Sequence, residues 1–184
     1  PVAISAMSPH SGSLKFAGSK GYIPVSANFV ATWSVETHWP AYCEGAKAGG
    51  ITPNPEKWRV ARSIYVADTD QEAEEFVKSP GGAYDYYYEY LFQIFERSDY
   101  KAPFVANPND DPAKLTPQGI RDACIIYGSP ETVANKILEL RKRIGDFGTM
   151  LYAAHDWQDK GAMKKSMAMF AEEVMPRVNS KLDN

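Results

Sequence analysis

The sequence predicts an α/β fold built on a parallel β-sheet. Four apolar segments with strand character begin near Val2, Tyr22, Trp58 and Thr149, and each is followed by a segment with helical features. Strands that alternate with helices form right-handed crossover units, which produce parallel sheets. Such a sheet needs helices on both faces or closure into a barrel. Four units in 184 residues amount to about half of a (β/α)₈ barrel, which takes roughly 250 residues.

Composition places the chain among ordinary globular proteins. It has 44% hydrophobic and 23% charged residues, with 20 basic against 23 acidic side chains. This balance does not indicate a nucleic-acid-binding surface, and no apolar run is long enough for a transmembrane helix. No leader segment is visible, and Cys43 and Cys124 are too few for a disulfide framework. We therefore expect a cytoplasmic protein with reduced thiols and neither nucleic acid nor membrane as a partner.

The first two units are marked by turn and glycine signals. A strand over 2–7 leads through the polar turn 8–13 into a helix that ends at Gly18 or Gly21. The next strand covers 22–27, with a proline near its start, where strands tolerate one.

The third unit begins after a helix that we predict over 35–48. Ser34 is placed as its N-cap, and Gly49 ends it. A strand follows over 58–67. Thr69 then has the capping-box position that opens a helix ending at Val77.

Residues 79–123 interrupt the alternation and predict an insert or lid before the last strand. Tyr84 to Phe95 is an aromatic, amphipathic helix, and a short apolar run follows at 123–127. Ser129 then caps a helix with Pro130 in its first turn. The last strand covers 149–154, and a final helix is expected to end at Pro176.

The turn 8–13 is the first candidate site. It joins the carboxyl end of a strand to the N-terminus of a helix, where unpaired amides and the helix dipole attract a phosphate. Gly12 allows close approach of a ligand, Ser8 and Ser11 offer hydroxyl groups, and His10 offers a donor. The alternative is a capped turn with surface serines, because the pattern is neither GxGxxG nor a P-loop.

A second candidate site follows the last strand. His155 lies directly after it, beside Trp157, at the end of the strand where barrel enzymes place functional groups. Tyr88 and Phe92 of the aromatic helix would roof an apolar pocket there. The alternatives are a locally hydrogen-bonded histidine and a helix used for packing or oligomerisation. No metal-ligand spacing is present, and His38, placed in mid-helix, is interpreted as structural.

Several stretches of the sequence form a recognisable pattern when they are taken in order. They are Ser8-Pro9-His10-Ser11-Gly12 with Ala17-Gly18, Trp58-Arg59-Val60 with Val66-Ala67-Asp68-Thr69, Gly128-Ser129-Pro130-Glu131-Thr132-Val133-Ala134, Phe147-Gly148-Thr149-Met150-Leu151, Ala154-His155-Asp156-Trp157 and Phe170-Ala171-Glu172-Glu173-Val174-Met175-Pro176. The chain thereby resembles the bacterial-luciferase-like flavin-dependent monooxygenases, particularly the limonene-monooxygenase-like branch. The resemblance covers most of the chain and is poorest over 80–120.

The resemblance implies a (β/α)₈ barrel of which this chain is the C-terminal half, strands five to eight, with a helical insert before the last strand. It implies reduced FMN supplied by a partner flavin reductase, and insertion of one oxygen atom from O₂ into a small apolar organic substrate. The FMN phosphate would rest on the amides of Met7 and Ser8 and on Ser11 and Gly12.

The resemblance places the principal catalytic groups in the other half of the barrel, so none is assigned here. The missing half or another protomer is the expected partner, in a homo-oligomer. Two alternatives stay open: a flavin-binding or scaffold protein without turnover, and a deazaflavin-dependent oxidoreductase of the same fold.

Overall fold

The computed structural model describes residues 1–155 and 159–182, which form an α/β structure around a parallel sheet. Its strands are β1 Ala3–Ala6, β2 Ile23–Ser26, β3 Arg59–Val66, β4 Ile125–Gly128 and β5 Thr149–Ala153. β1, β2 and β3 are neighbours in that order, and β3 also pairs with β4 and β5. The predicted α/β fold with a parallel sheet is therefore confirmed.

Helices follow or connect the strands. They are α1 Gly12–Lys20, α2 Thr32–Val35, α3 His38–Ala48, α4 Asp70–Val77, α5 Ala83–Arg97, α6 Pro117–Cys124, α7 Pro130–Ile144, α8 Lys160–Met169 and α9 Met175–Leu182. Short 3₁₀ turns cover Pro55–Lys57, Ala102–Phe104 and Pro112–Lys114, and a π-turn covers Phe170–Val174. Among the residues described, no helix combines the length and the apolar character needed to cross a membrane.

β3 is the central strand because it pairs along both of its edges. Arg59 pairs with Val25 of β2 and with Thr149 of β5, so β2 and β5 lie on opposite edges. Further along β3, β4 pairs with residues 63–66 on the same edge as β2. The apolar run at 123–127, to which the sequence pattern assigned no element, contains the end of α6 and most of β4.

The two faces of the sheet have different surroundings. The face that carries Val60, Ile64 and Val66 packs against α7 and the π-turn in one apolar core. The pairing registers place thirteen residues on the opposite face, of which Tyr65, Ile125 and Tyr127 belong to or pack against the second core at its carboxyl-terminal end. We call the part formed by the other ten the open face: Ala3, Ser5, Ile23, Val25, Arg59, Ala61, Ser63, Thr149, Leu151 and Ala153. Of these ten described residues, Ser63 alone is buried.

The segment 79–123 covers the carboxyl-terminal part of β3. Its helix α5 matches the predicted aromatic helix and joins a second core around Tyr65. Phe29, which follows β2, packs against Phe95 and Phe104 at ring-centroid distances of 6.0 and 6.1 Å. The segment is thus fixed to the carboxyl ends of both β2 and β3.

Two helix boundaries differ from the sequence prediction, and each lies close to a proline. The helix predicted over 35–48 begins at His38, which is therefore in its first turn and not in mid-helix. A helix from residue 35 would place Pro40 in its interior, where proline removes a hydrogen bond. Pro176 does not end the last helix either, because a π-turn precedes it and α9 continues to Leu182.

Two of the predicted caps are confirmed, whereas the N-cap predicted at Ser34 is wrong, because Ser34 lies within α2 and Thr37 is the N-cap of α3. Thr69 and Glu72 form a reciprocal capping box at α4, and Ser129 caps α7 with Pro130 in its first turn. Gly21, with φ of 66°, ends α1 in the left-handed conformation.

Candidate functional site

The turn between β1 and α1 presents the N-terminus of a capped helix. Ser11 is the N-cap: its Oγ accepts a hydrogen bond from the amide of Leu14 at 3.4 Å and lies 2.8 Å from Ser13 Oγ. Ser13 Oγ also donates to the carbonyl of Ser5 at 3.2 Å. The first-turn amides of Gly12 and Ser13 have no acceptor among the described residues. Such amides are the donors that bind an anion at a helix N-terminus.

The surroundings of this turn are open and contain no acidic group from the same stretch of chain. The side chain of Met7 is 48% exposed, and a Cβ placed on Gly12 would meet no atom within 4 Å. His10 is exposed, whereas Ser11 is buried beneath the turn. Residues 1–35 include no Asp or Glu. The predicted phosphate-binding residues thus lie together on an accessible loop.

The bend within the turn is held by Thr37, the N-cap residue of α3. His10 adopts a φ of 51°, an unusual conformation for a residue with a side chain. Its amide donates to Thr37 Oγ1 at 2.7 Å, and Thr37 Oγ1 in turn donates to the carbonyl of Ser34 at 2.7 Å. The backbone N–H of His10 therefore donates to a group of the protein itself, in contrast to the amides of Gly12 and Ser13.

A buried chain of hydrogen bonds also ends at the turn. Trp58 Nε1 donates to Ser26 Oγ at 3.0 Å, Ser26 Oγ lies 2.9 Å from His38 Nδ1, and His38 Nε2 lies 3.1 Å from the carbonyl oxygen of Ser8. Because the carbonyl only accepts, Nε2 carries the hydrogen and Nδ1 accepts from the serine hydroxyl.

His38 is neutral in this arrangement. Burial lowers its pKa to about 4, opposed by the hydrogen bond to Ser8 and reinforced by the charge of Arg62. His38 thus has the structural role predicted for it, and its hydrogen-bond partners are Ser26 and Ser8. The sequence did not reveal them, because Ser8 and His38 are 30 positions apart.

A second group of polar side chains lies where β2, β3 and β5 approach their carboxyl ends. Asn28 Nδ2 donates to Ser63 Oγ at 3.0 Å, and the hydroxyl of Tyr88 donates to the same oxygen at 3.2 Å. His155 Nε2 lies 2.8 Å from Ser63 Oγ. Two donors occupy the lone pairs of this oxygen, so its hydrogen points to Nε2. This arrangement selects the His155 tautomer that carries its hydrogen on Nδ1.

Aromatic rings surround His155 and border a cavity. The rings of Tyr87 and Tyr84 lie 4.1 and 4.9 Å from the imidazole, measured between centroids. A cavity of about 390 Å³ is lined by Ala83, Tyr86, Tyr87, Ala154 and His155. A molecule in this cavity would therefore contact the imidazole of His155 and the side chains of Tyr86 and Tyr87.

The structure brings together part of the predicted pocket. Tyr88 and His155 share the Ser63 network, whereas Phe92 is half-buried with Lys101 Nζ 5.1 Å above its ring and does not line the cavity. Trp157 lies outside the described residues. The assignment of these residues to a substrate pocket stays a prediction.

Sequence reasoning missed Asn28, Ser63 and Tyr87. Asn28 follows β2 as His155 follows β5, so the rule that selected His155 would have found it.

Comparison with known proteins identifies the family to which the chain belongs. Residues 1–146 match the model of the luciferase-like monooxygenases. The chain belongs to this family. This luciferase-like chain is 31% identical over 182 residues to 2,5-diketocamphane 1,2-monooxygenase 2 of Pseudomonas putida, covering 97% of the chain and 50% of the relative. It is 27% identical over 180 residues to limonene 1,2-monooxygenase of Rhodococcus erythropolis, covering 97% and 43% respectively.

A solved structure extends the comparison to three dimensions. It is the oxygenating constituent of 3,6-diketocamphane monooxygenase from Pseudomonas putida, a type II Baeyer–Villiger monooxygenase in complex with FMN. The TM-score is 0.82 at 31% identity, over 96% of this chain and 48% of that one. The family resemblance predicted from the sequence is confirmed, and the luciferase-like chain spans about half the length of the relatives that it matches.

Proposed function

We propose that this chain is part of an FMN-dependent monooxygenase that inserts one oxygen atom from O₂ into a small apolar organic molecule. The open turn at the N-terminus of α1 carries the proposal, since its amides fit a phosphate and a relative of 31% identity binds FMN. Reduced flavin would come from a partner reductase. The names of the relatives, which include a diketocamphane and a limonene monooxygenase, favour a compact cyclic substrate.

The turn fits a phosphate group for three reasons. The amides of Gly12 and Ser13, which have no acceptor within the described part of the chain, supply donors; the absent Cβ of Gly12 leaves room for an oxygen; and no acidic residue occurs in 1–35. Met7, Ser8 and Ser11 complete the loop, with Ser11 acting from beneath as the helix cap. Charge-assisted hydrogen bonds from backbone amides are among the stronger polar contacts in proteins.

The flavin would supply the oxygen chemistry, and the chain would supply binding, orientation and exclusion of water. The segment 79–123 would act as a lid over the carboxyl ends of β2 and β3. The cavity beside His155 and Tyr87 would hold part of the substrate. Tyr88 would act on it only indirectly, through Ser63, because its hydroxyl is buried.

We also propose that β1, β2, β3 and β5 form strands five to eight of a (β/α)₈ barrel, with β4 as an added strand beside the carboxyl-terminal part of β3. The exposed residues of the open face and the coverage of about half of each relative support this interpretation. Remaining strands, from the rest of the same protein or from another protomer, would cover that face.

The phosphate assignment is tested by acidic substitutions in the turn. Replacing Ser11 and Gly12 together by Glu should weaken FMN binding by about 1–3 kcal/mol, because donors are lost and negative charge is added beside the phosphate. Titration calorimetry with FMN and with riboflavin, which has no phosphate, provides the measurement and its control. Unchanged FMN affinity in the folded double variant would refute the assignment.

The reaction is tested separately. The intact protein, reduced FMN, ¹⁸O₂ and either 2,5-diketocamphane or limonene should give a product that contains one ¹⁸O atom, detected by mass spectrometry. Binding of FMN without any labelled product from these or other cyclic probes would favour a flavin-binding protein without turnover.

A further inference from the structure

The N-cap residue and the first residue of α3 contact the candidate phosphate turn at two points. Thr37 Oγ1 accepts a hydrogen bond from the amide of His10 at 2.7 Å, and His38 Nε2 donates to the carbonyl of Ser8, 3.1 Å away. These contacts lie on either side of Pro9, which has no N–H of its own. Two adjacent side chains at the N-terminus of α3, those of the N-cap and of the first helical residue, therefore hold the bend of a loop that belongs to another unit.

Each contact favours the binding of an anion. An exposed carbonyl oxygen would repel a phosphate, and His38 keeps the Ser8 carbonyl engaged with a ring nitrogen. The positive φ of His10 is costly for a residue with a Cβ, and the hydrogen bond to Thr37 stabilises it. The bend then leads directly to Ser11, the cap of α1.

The His38 contact is rigid because its other ring nitrogen is also engaged. His38, Ser26 and Trp58 are each 0% exposed and form one continuous chain of hydrogen bonds. Rotating the imidazole away from Ser8 would also leave Ser26 without this partner in the interior. Buried polar groups without partners are rare because they are costly.

The position of α3 is in turn fixed by close packing against α1. A Cβ on Gly45 would lie 1.8 Å from the carbonyl oxygen of Lys15, and one on Gly18 would lie 2.1 Å from that of Tyr42. The helix that presents the free amides and the helix that holds the bend thus form one tightly packed pair.

We infer that Thr37 and His38 are positioning residues that set the affinity of this turn for the phosphate group of the cofactor. They act through the backbone of Ser8 and His10 and do not touch the phosphate. The inference rests on the proposed function, since it assumes that the turn binds the FMN phosphate.

The test compares FMN with riboflavin in the full protein. Dissociation constants for both flavins are measured by titration calorimetry, and their ratio reports the contribution of the phosphate. Thr37→Val and His38→Asn remove the contacts with His10 and Ser8. Each should lower the preference for FMN by roughly fivefold or more, as expected for one hydrogen bond, with riboflavin affinity unchanged.

Conservative variants separate positioning from general packing. Gln at position 38 can place an amide nitrogen near the site of Nε2 and donate to Ser8, whereas Asn is too short. Thr37→Ser keeps the hydroxyl. Both His38→Gln and Thr37→Ser should therefore retain most of the preference for FMN.

A remote substitution controls for lost stability. Ser166 is also 0% exposed, and its Oγ accepts from the amide of Val66 at 2.8 Å, far along the chain from the turn. Ser166→Ala should lower stability and leave the flavin ratio unchanged. Circular dichroism establishes that each variant is folded.

The outcomes are distinct. If wild type prefers FMN and folded Thr37→Val and His38→Asn keep that ratio, the positioning role is wrong while the phosphate site stands. If wild type shows no preference for FMN over riboflavin, the proposed phosphate site is wrong and the inference falls with it. Should His38→Asn not fold, Thr37→Val decides alone, because Thr37 is only half-buried.

Discussion

His38 and His155 show how neighbouring groups select the state of a histidine. His38 donates from Nε2 to a carbonyl and accepts a hydrogen bond at Nδ1. His155 receives the hydrogen of Ser63 at Nε2, because Asn28 and Tyr88 already donate to that serine. The two rings therefore carry their hydrogens on opposite nitrogens. For His38, burial adds a strong preference for the neutral form, which the hydrogen bond to Ser8 only partly opposes.

This preference predicts a specific loss of stability in acid. The pKa of His38 is lowered from 6.5 to about 4 by burial, so between these values the unfolded state binds more protons than the folded state. Its contribution to the free energy of unfolding is complete above pH 6.5 and decreases by about 3 kcal/mol as the pH falls to 4.

Urea denaturation of wild type and His38→Gln at pH 7 and at pH 4 measures this contribution. The glutamine variant, which has no titrating ring, should lose less stability between the two values. Equal losses in both proteins would show that His38 does not titrate in this window.

At the scale of elements, the contact between α1 and α3 depends on the absence of side chains. Gly45→Ala should lower the free energy of unfolding by about 1–3 kcal/mol, because the new Cβ would lie 1.8 Å from the backbone oxygen of Lys15 and the helices must separate. Chemical denaturation provides the measurement.

Gly161→Ala is the matched control for this prediction. It is also a helical glycine, but the nearest atom to its added Cβ is a side-chain oxygen of Asp159 at 3.3 Å. Alanine is the better helix former, so this variant should be neutral or slightly stabilised. Similar losses in the two variants would contradict the close-packing argument.

The elements also show what the sequence could predict. Helix starts at Thr69 and Ser129 were predicted correctly, because a cap signal involves residues three positions apart. β4 was missed, because a strand of four residues is defined by its pairing with β3 and not by its own pattern. The Ser63–His155 contact joins residues 92 positions apart, which no local pattern encodes.

At the scale of the whole molecule, the sheet is covered unequally. One face lies beneath α7 and the π-turn, and its residues Val60 and Ile64 are completely buried. On the open face, Leu151 in the middle of β5 is 38% exposed, and both Ala3 and Ser5 of β1 are exposed. Parallel sheets are normally covered on both faces, so this surface fits the proposal that further barrel strands pack against it.

Leu151→Asp in the intact protein tests that proposal. If remaining strands cover the open face, the substitution buries an unpaired carboxylate and should lower the free energy of unfolding by about 3 kcal/mol or more. Leu182→Asp is the control, since Leu182 has a similar exposure of 43% but lies at the end of α9. It should change stability by only about 0.5 kcal/mol. Because the two leucines are almost equally exposed in this chain, a small effect at both positions would mean that the open face faces solvent and that the barrel proposal is wrong.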